Sequence, residues 1–419
     1  MSKNIEQAYK MAQEQYAALG VDTDKALARL QNTEISVHCW QGDDLIGFEE
    51  GAQQLSGGIM STGKYPGRAR NGEELRSDYE KAFSLIPGKQ RANLHAIYLE
   101  ANGKIVGRDQ IETKHFENWM DWANQQGVSL DFNTTIFSHP KADGYTLANY
   151  DKSIRDFWIE HARRCRLIGE EMGKRQGNPC ILNHWMIDGS KEPPVDRLER
   201  RRLYIESMDE ILSKNIAPKY LMDSIESKLF GIGLESFTAG SAEMCFAYAL
   251  TRKIALTYDL GHFHPTESVA DKISSTLLFL DKIMLHVSRG VRWDSDHVAV
   301  QNDELYSLMQ EVVRADALEK INIGLDFFDG SINHVAAWVI GTRAAQKSIL
   351  SALLEPLAMM RQAELEEDTT SRLVMLEETK NLPLNAVWEY YCMMNGVPVG
   401  MQWLEEVKKY EKTELSKRI

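Results

Sequence analysis

Short apolar runs alternate along this chain with longer stretches in which apolar residues return every three to four positions. Runs of four to eight apolar or β-branched residues have the length of strands, and the longer recurrence is that of helices with one buried face. The strand-like runs are Glu34–Trp40, Ala92–Leu99, Val128–Asn133, Cys180–Trp185, Met222–Glu226, Ile254–Asp259, Lys282–His286 and Ile321–Asp326. A helix starts at Asn71, helical periods follow at about 115–126, 151–175, 197–214, 240–250, 266–280 and 302–316, and a long helical stretch covers 331–361. Ahead of the first strand, residues 4–30 read as a helix, with Ile5, Ala8, Ala12, Tyr16 and Leu19 near its period and Gly20 as its stop. Eight strands alternating with helices is the count of an α/β fold of the (β/α)8 TIM-barrel type. The expected organisation is a barrel domain over 1–360, N-terminal helix included, and a C-terminal helical arm over 361–419. The arm packs outside the barrel or on a neighbouring subunit.

Polar and aromatic side chains collect at one end of these strands: Trp40, His95, Asn133, Trp185, Glu226, Asp259, His286 and Asp326. Barrel enzymes build their sites at that C-terminal face. Two further stretches lie close by in the chain, Asp259-Leu-Gly-His262-Phe-His264-Pro265 and Arg292-Trp-Asp294-Ser-Asp296-His297. Asp294 and Asp296, spaced i, i+2 on an extended segment, point the same way and can grip one ion. Hard divalent cations prefer oxygen with some nitrogen. Glu226, Asp259, His286 and Asp326 can ring one ion, and His262, Asp294 and Asp296, with Asp259 bridging, can hold a second. Such a donor pool favours Mn2+, Mg2+ or Co2+ over a sulfur-bound zinc.

Each residue alone has a plainer reading. A strand-end Asp is more often a helix N-cap; Asp329 before Gly330-Ser331 reads as one, and Asp294 can also cap the segment after it. His264-Pro265-Thr266-Glu267 reads as a helix start. Trp40 and Trp185 suit a core, and Lys228 suits a solvated loop. Seven ligand-type residues in this order favour the metal site. Between Gln41 and Arg70 lies a long connection carrying Gly42, Gly47, Gly51, Gly57, Gly58, Gly63 and Gly67. A connection of that length suggests a lid.

Charge and cysteines narrow the class. A net charge of −13 over 419 residues argues against nucleic acid, which needs a basic face. Cys39, Cys165, Cys180, Cys245 and Cys392 form no CxxC pair, which suits a reducing cytoplasm. The first residues lack an apolar core, and no run of 18 or more apolar residues occurs, so neither export nor a membrane span is expected.

Longer motifs carry a resemblance. Glu226-Ser-Lys228, Asp259-x-x-His262 and Asp294-x-Asp296 on such a barrel resemble the xylose-isomerase-like sugar isomerases. His38-Cys-Trp-Gln-Gly-Asp-Asp44, Asn93-Leu-His-Ala-Ile-Tyr98, Glu226-Ser-Lys-Leu-Phe-Gly-Ile-Gly233, Gly261-His-Phe-His-Pro-Thr-Glu267, Val291-Arg-Trp-Asp-Ser-Asp-His297 and Gly324-Leu-Asp-Phe-Phe-Asp329 resemble the L-rhamnose isomerase family over essentially the whole chain. The resemblance implies interconversion of L-rhamnose and L-rhamnulose, the first intracellular step of L-rhamnose catabolism, by a homotetramer with two divalent ions per subunit. Manganese is preferred, with Co2+, Zn2+ or Mg2+ possible at the structural position. It implies that Glu226, Asp259, His286 and Asp326 bind a structural ion, and that His262, Asp294 and Asp296 bind a catalytic one. Trp40, His95, Trp185 and Lys228 then contact the sugar, and Asp326, Lys228 and His95 are the catalytic candidates.

The residues are compatible with that chemistry. Lys228 can hydrogen-bond the oxygen on which charge develops, and the two tryptophans can exclude water. Asp326 can shuttle a proton between hydroxyls, and His95 can assist ring opening or bind a hydroxyl. No uncommitted carboxylate stands at a strand end, which, together with the family, favours a hydride shift over an enediol. The lid then supplies Leu55, Ile59, Met60 and Tyr65 to a 6-deoxy methyl group. Competing expectations are a metal-dependent endonuclease on the same barrel and a sugar-binding protein without turnover.

Overall fold

Residues 2–49, 61–228, 236–264, 266–291 and 294–418 are described by the computed structural model. Eight parallel strands close into a barrel: β1 (Ile35–His38), β2 (Gln90–His95), β3 (Ser129–Asn133), β4 (Cys180–His184), β5 (Leu221–Glu226), β6 (Ala255–Asp259), β7 (Ile283–Val287) and β8 (Ile321–Leu325). Each strand pairs with its neighbours in the chain, and β8 closes on β1 through Ile35 beside Ile323. All eight expected strands are present. The helices between them cover the outer faces, so both sides of most strands are buried, and that is why the runs read as nearly continuous apolar stretches.

The strand ends were less legible. The run expected to reach Leu99 leaves the sheet at His95 and coils into a short 3-10 turn, Ala96–Tyr98. Trp40 likewise lies in the turn Cys39–Gln41 just past β1. The exits of β1 and β8 are clipped together. A His38 ring nitrogen meets the carbonyl of Phe327, and the Gln41 amide both donates to the Asp329 carbonyl at 3.0 Å and accepts from the Asp329 amide at 2.8 Å. These contacts fix the backbone just after Asp326.

Three helix expectations change. The single helix over 4–30 is two, Ser2–Ala17 and Thr23–Gln31: Gly20 turns at φ +72° and Asp22 caps the second through the Lys25 amide at 3.0 Å. The stretch 331–361 splits into His334–Leu353 and Leu357–Leu365, because Pro356 has no N–H to continue the first. The segment after His264 becomes helical only at Ala270. Asp329 is not the cap of the helix His334–Leu353. Asn333 is, accepting from the Ala336 amide at 2.9 Å, while Asp329 closes a local turn on the Ser331 amide.

Beyond Leu365 run the helices Thr369–Thr379, Leu384–Met394 and Gln402–Thr413. Tyr390 stacks on Tyr9 with ring centroids 3.9 Å apart, fastening the tail to the N-terminal helix. Glu411 accepts hydrogen bonds from Tyr65 (2.9 Å) and Asn333 (2.7 Å), and Arg418 pairs with Asp78 at 2.6 Å.

Of the glycine-rich connection 41–70, residues 50–60 lie outside the described residues, and Leu55, Ile59 and Met60 with them. Both flanks are pinned. Asp43 accepts from the amides of Leu45 (3.1 Å) and Gly47 (2.7 Å) and from the Tyr98 hydroxyl (2.6 Å), holding a turn in which Asp44 and Leu45 take positive φ. Gly63, at φ +123°, lies so close to Gly330 that a Cβ would come within 2.2 Å of its backbone. Tyr65 directs its hydroxyl to Glu411.

The N-terminal end of the barrel is plugged by charge. Arg91 grips Asp131 through two nitrogens at 2.8 and 2.7 Å, and Asp131 also accepts from Ser36 at 2.6 Å and the Ile181 amide at 2.9 Å. Asp131 is fully buried. Arg91→Ala is expected to cost about 3–5 kcal/mol of stability, because it strands a buried carboxylate. A fall in the urea midpoint, with kcat unchanged where the protein is folded, is the check.

Candidate metal centre

At the opposite end, the strand register assembles the carboxylates and imidazoles. Asp259 lies beside His286, and Glu226 beside Thr257. Glu226, Asp259, His286 and Asp326 bring one donor atom each to within 4.8 Å of one another. His286 Nδ1 is 3.3 Å from Glu226, 3.4 Å from Asp326 and 3.9 Å from Asp259. A second group, Asp259, His262 and Asp294, meets the same limit and shares Asp259 with the first. His262 bridges outward, with Nε2 3.2 Å from Asp294 and Nδ1 3.2 Å from Glu226.

Two features of these donors fit cations. Asp259 Oδ2, His262 Nδ1, both His286 nitrogens and Asp294 Oδ1 are buried without a hydrogen-bond partner. Such atoms cost about 1–3 kcal/mol each if nothing satisfies them. The charges are also out of balance. Burial drives the Asp259 carboxyl well above the usual range, and Asp326, Glu226 and Asp294 push it further against the pull of His262. Burial and the charges of Asp294, Asp326 and Asp259 raise Asp296 likewise. Burial alone would lower His286, but Glu226 and Asp326 carry it well above its ordinary value. His262 rises for the same reason, through Asp259 and Asp294. Burial would raise Glu226, but His286 and His262 hold it down to about 2. Oxygen and imidazole donors in this proportion, short of positive charge, suit hard divalent ions.

Burial separates the two groups. In the first group Glu226, Asp259 and His286 are nearly sealed and Asp326 is 20% exposed, whereas the Asp294 side chain of the second is 30% exposed. The second group therefore faces the mouth, where a small molecule can reach it. Asp296 stands outside both groups, at a positive φ of 42°, with its carbonyl accepting from the Phe328 amide. His264 is exposed and bonds Thr266.

Beside the donors runs an arc of rings. Trp40 meets His95 edge-on at 4.6 Å, His95 meets Phe137 at 5.5 Å, Phe137 meets Trp185 at 5.5 Å, and Trp185 lies nearly parallel to His262 at 6.2 Å. Lys228 is buried, with Nζ 5.6 Å from the Trp185 ring centre and donating to the Ile187 carbonyl at 2.6 Å. His95 Nδ1 lies 3.1 Å from the Thr135 hydroxyl, and burial lowers the imidazole to about 3, so it is neutral at physiological pH.

Known proteins match along the whole chain. The sequence model of the family described as L-rhamnose isomerase (RhaA) matches residues 3–418. The L-rhamnose isomerase of Rhodopirellula baltica is 55% identical over 416 residues, 99% of this chain and 97% of that one. That of Bacteroides thetaiotaomicron is 53% identical over 99% of both chains, and that of Yersinia pseudotuberculosis 52% over 100% of both. The chain belongs to the L-rhamnose isomerase family. It is an isomerase on an eight-stranded parallel barrel.

Several side chains of this L-rhamnose isomerase family member take part in the site without having stood out in the sequence. Phe137 completes the arc between His95 and Trp185. Gly261 donates its amide to Asp259 at 2.6 Å, and a Cβ there would sit 2.3 Å from Asp294 Oδ1. Its place between Asp259 and His262 was the available signal. Asp188 accepts from the amides of Thr146 (3.0 Å) and Ala148 (2.6 Å), and so steadies the segment whose Ile187 carbonyl holds Lys228. Asn183 donates to Glu226 from the neighbouring strand.

Proposed function

We propose that this enzyme interconverts L-rhamnose and L-rhamnulose with two divalent cations, manganese foremost. The observation that carries the reading is a pair of donor groups sharing Asp259 beside an arc of rings, in a chain more than half identical to L-rhamnose isomerases along its length. Glu226, Asp259, His286 and Asp326 would hold the buried, structural ion. His262, Asp294 and Asp296, with Asp259 shared, would hold the catalytic one. Bound ions of this kind polarise the C1 carbonyl and the C2 hydroxyl of an open-chain sugar.

The remaining steps fall to side chains. Hydrogen passes with its electron pair from C2 to C1 while a proton moves from O2 to O1, so nothing is gained or lost. Asp326 is the proton carrier in this reading, which its 20% exposed carboxylate supports. Burial would raise it, but His286 draws it well below the usual range, so it is a carboxylate when the cycle starts. Lys228 supplies a charged donor to the oxygen that gains charge. Trp40 and Trp185, with Phe137 between them on the arc, keep water from the migrating hydrogen. Neutral His95 binds a hydroxyl or takes the proton released on ring opening. Each strand-end carboxylate, Asp326 included, would be a cation ligand, which leaves no uncommitted base and supports hydride transfer over an enediol.

The reading extends to the first intracellular step of L-rhamnose catabolism, in a cytoplasm that keeps the five buried cysteines free. Among the described residues no helix is long and apolar enough to cross a membrane. The reading includes a homotetramer; the helix Thr369–Thr379, with no fully buried residue and with Leu373 and Val374 exposed, offers apolar surface to a neighbouring copy. The test is ketose formation from L-rhamnose by chelator-stripped protein before and after Mn2+ is added. Activity should be absent and then return; no ketose after repletion overturns the proposal.

A further inference from the structure

The layer of the barrel immediately beneath the donor groups is polar. Barrel interiors are ordinarily filled at this level by branched aliphatic side chains. Here Asn93, Asn133, Asn183, Ser224 and Thr257 occupy it, all buried. Asn133 donates to Asn93 at 2.7 Å on one side of the barrel. On the other side a second set leads to Glu226. Ser224 lies in register with Asn183 on β4, and Thr257 lies in register with Glu226 on β5. The Asn183 amide spans these strands, meeting the Thr257 hydroxyl at 2.8 Å through Oδ1 and Glu226 Oε2 through Nδ2. The Thr257 hydroxyl in turn lies 2.6 Å from the Ser224 hydroxyl.

The direction of this chain is fixed by chemistry. A carboxylate only accepts, so the amide must turn its NH2 toward Glu226 and its carbonyl toward Thr257. The Thr257 hydroxyl has one proton and gives it to Asn183, so Ser224 must donate to Thr257. Three buried side chains from three strands thus deliver one donor to one oxygen of Glu226. That carboxylate belongs to the first donor group and also touches the second: Oε2 is 3.3 Å from His286 and Oε1 is 3.2 Å from His262. Its rotation about the side-chain axis therefore decides how both groups are presented.

We propose that Asn183, oriented by Thr257 and Ser224, is the positioning residue that locks the Glu226 carboxylate in its cation-binding rotation. Filling space would be served as well by leucine or valine, which would leave no polar group to satisfy. An amide at this point serves orientation. The proposal rests on Glu226 being a ligand, and it adds the residue that sets how well Glu226 performs.

The test uses full-length protein stripped by chelator and titrated with Mn2+, the free ion being followed by its electron paramagnetic resonance signal. Thermal unfolding of the stripped protein is measured alongside. Asn183→Leu should weaken the tighter Mn2+ site by about 10–100-fold, the usual range for loss of a partner behind a ligand. Thr257→Val should weaken it in the same direction, and Thr257→Ser, which keeps the hydroxyl, should restore an affinity near that of the unaltered protein. If Asn183→Leu does not fold, the pair at Thr257 decides. Wild-type affinity in both Asn183→Leu and Thr257→Val, with only the unfolding temperature lowered, overturns the proposal and leaves a packing role. Failure of the unaltered protein to bind Mn2+ at all overturns the ligand reading of Glu226, and this proposal with it.

Discussion

Asp294→Asn should reduce ketose formation from L-rhamnose by about 10³–10⁴-fold at saturating Mn2+, because a correctly held cation supplies several kcal/mol of charge stabilisation and each 1.36 kcal/mol is tenfold in rate. The effect on turnover alone comes from the residue's position. Asp294 closes the outer donor group at 3.2 Å from His262, yet its side chain is 30% exposed. An amide of the same shape removes the negative charge and one of two ligand oxygens without opening a cavity. Stability in the presence of chelator should therefore stay within about 1 kcal/mol of the unaltered protein, as expected for an isosteric change that opens no cavity. Steady-state kcat and a urea midpoint, taken on the same preparation, separate the two effects. A variant that keeps more than a tenth of the turnover would show that Asp294 is no ligand of the catalytic ion.

How far the molecule can be read from its sequence depends on whether a feature is local or crosses strands. The eight strands were legible because a parallel barrel buries both faces and leaves apolar runs of strand length. The donor residues were legible because they sit at or just past the ends of those runs, where Glu226 and Asp259 close β5 and β6. Breaks inside helical patterns were harder. Gly20 and Pro356 each interrupt a stretch whose apolar period continues on both sides, and only the cap at Asp22 or the missing N–H at Pro356 decides the boundary. Features that depend on register could not be read at all. Asn183 matters because β4 and β5 place it against Glu226, and Phe137 because the connection after β3 brings it between His95 and Trp185. Nothing in the spacing of asparagines or phenylalanines along the chain announces either contact. Asp294 and Asp296 show the limit from the other side: alternation treats them alike, but the positive φ at Asp296 breaks the extended path, and only Asp294 joins a donor group.

The same cluster has to be stable before it can be active. With its cations removed, it holds more buried carboxylate than its two imidazoles neutralise. Asp259 is the focus, being the one residue common to both donor groups and fully buried.

Asp259→Asn is accordingly expected to abolish turnover and to invert the usual cost of a buried substitution. In the unaltered protein, Mn2+ at about a thousand times its dissociation constant should add roughly 4 kcal/mol to stability. The variant should lose most of that gain, since both groups lose their shared ligand. In chelator, however, it should be at least as stable as the unaltered protein, and the difference should widen with pH. The sign comes from the direction of the shift. Burial, reinforced by Asp326, Glu226 and Asp294, raises the folded-state pKa of Asp259 far above its unfolded value of about 3.9. A carboxyl raised in this way binds its proton more tightly when folded, so it favours the folded state at low pH and loses that advantage as pH climbs from the unfolded toward the folded value. His262 and His286, also raised, lose their contribution in the same direction as pH climbs through their folded values. Only Glu226 and Asp326, whose folded values are depressed, act oppositely, and their contribution is lost only as pH falls below about 4. The cation-free protein should therefore weaken between pH 5.5 and 8.5, and Asp259→Asn should flatten that slope by removing the raised carboxyl and relaxing His262. Urea midpoints at the two pH values, each with chelator and with Mn2+, provide the measurement. A variant weaker than the unaltered protein in chelator at pH 8.5 would mean that the two imidazoles already balance Asp259, and that the pull of the site on divalent ions has another source.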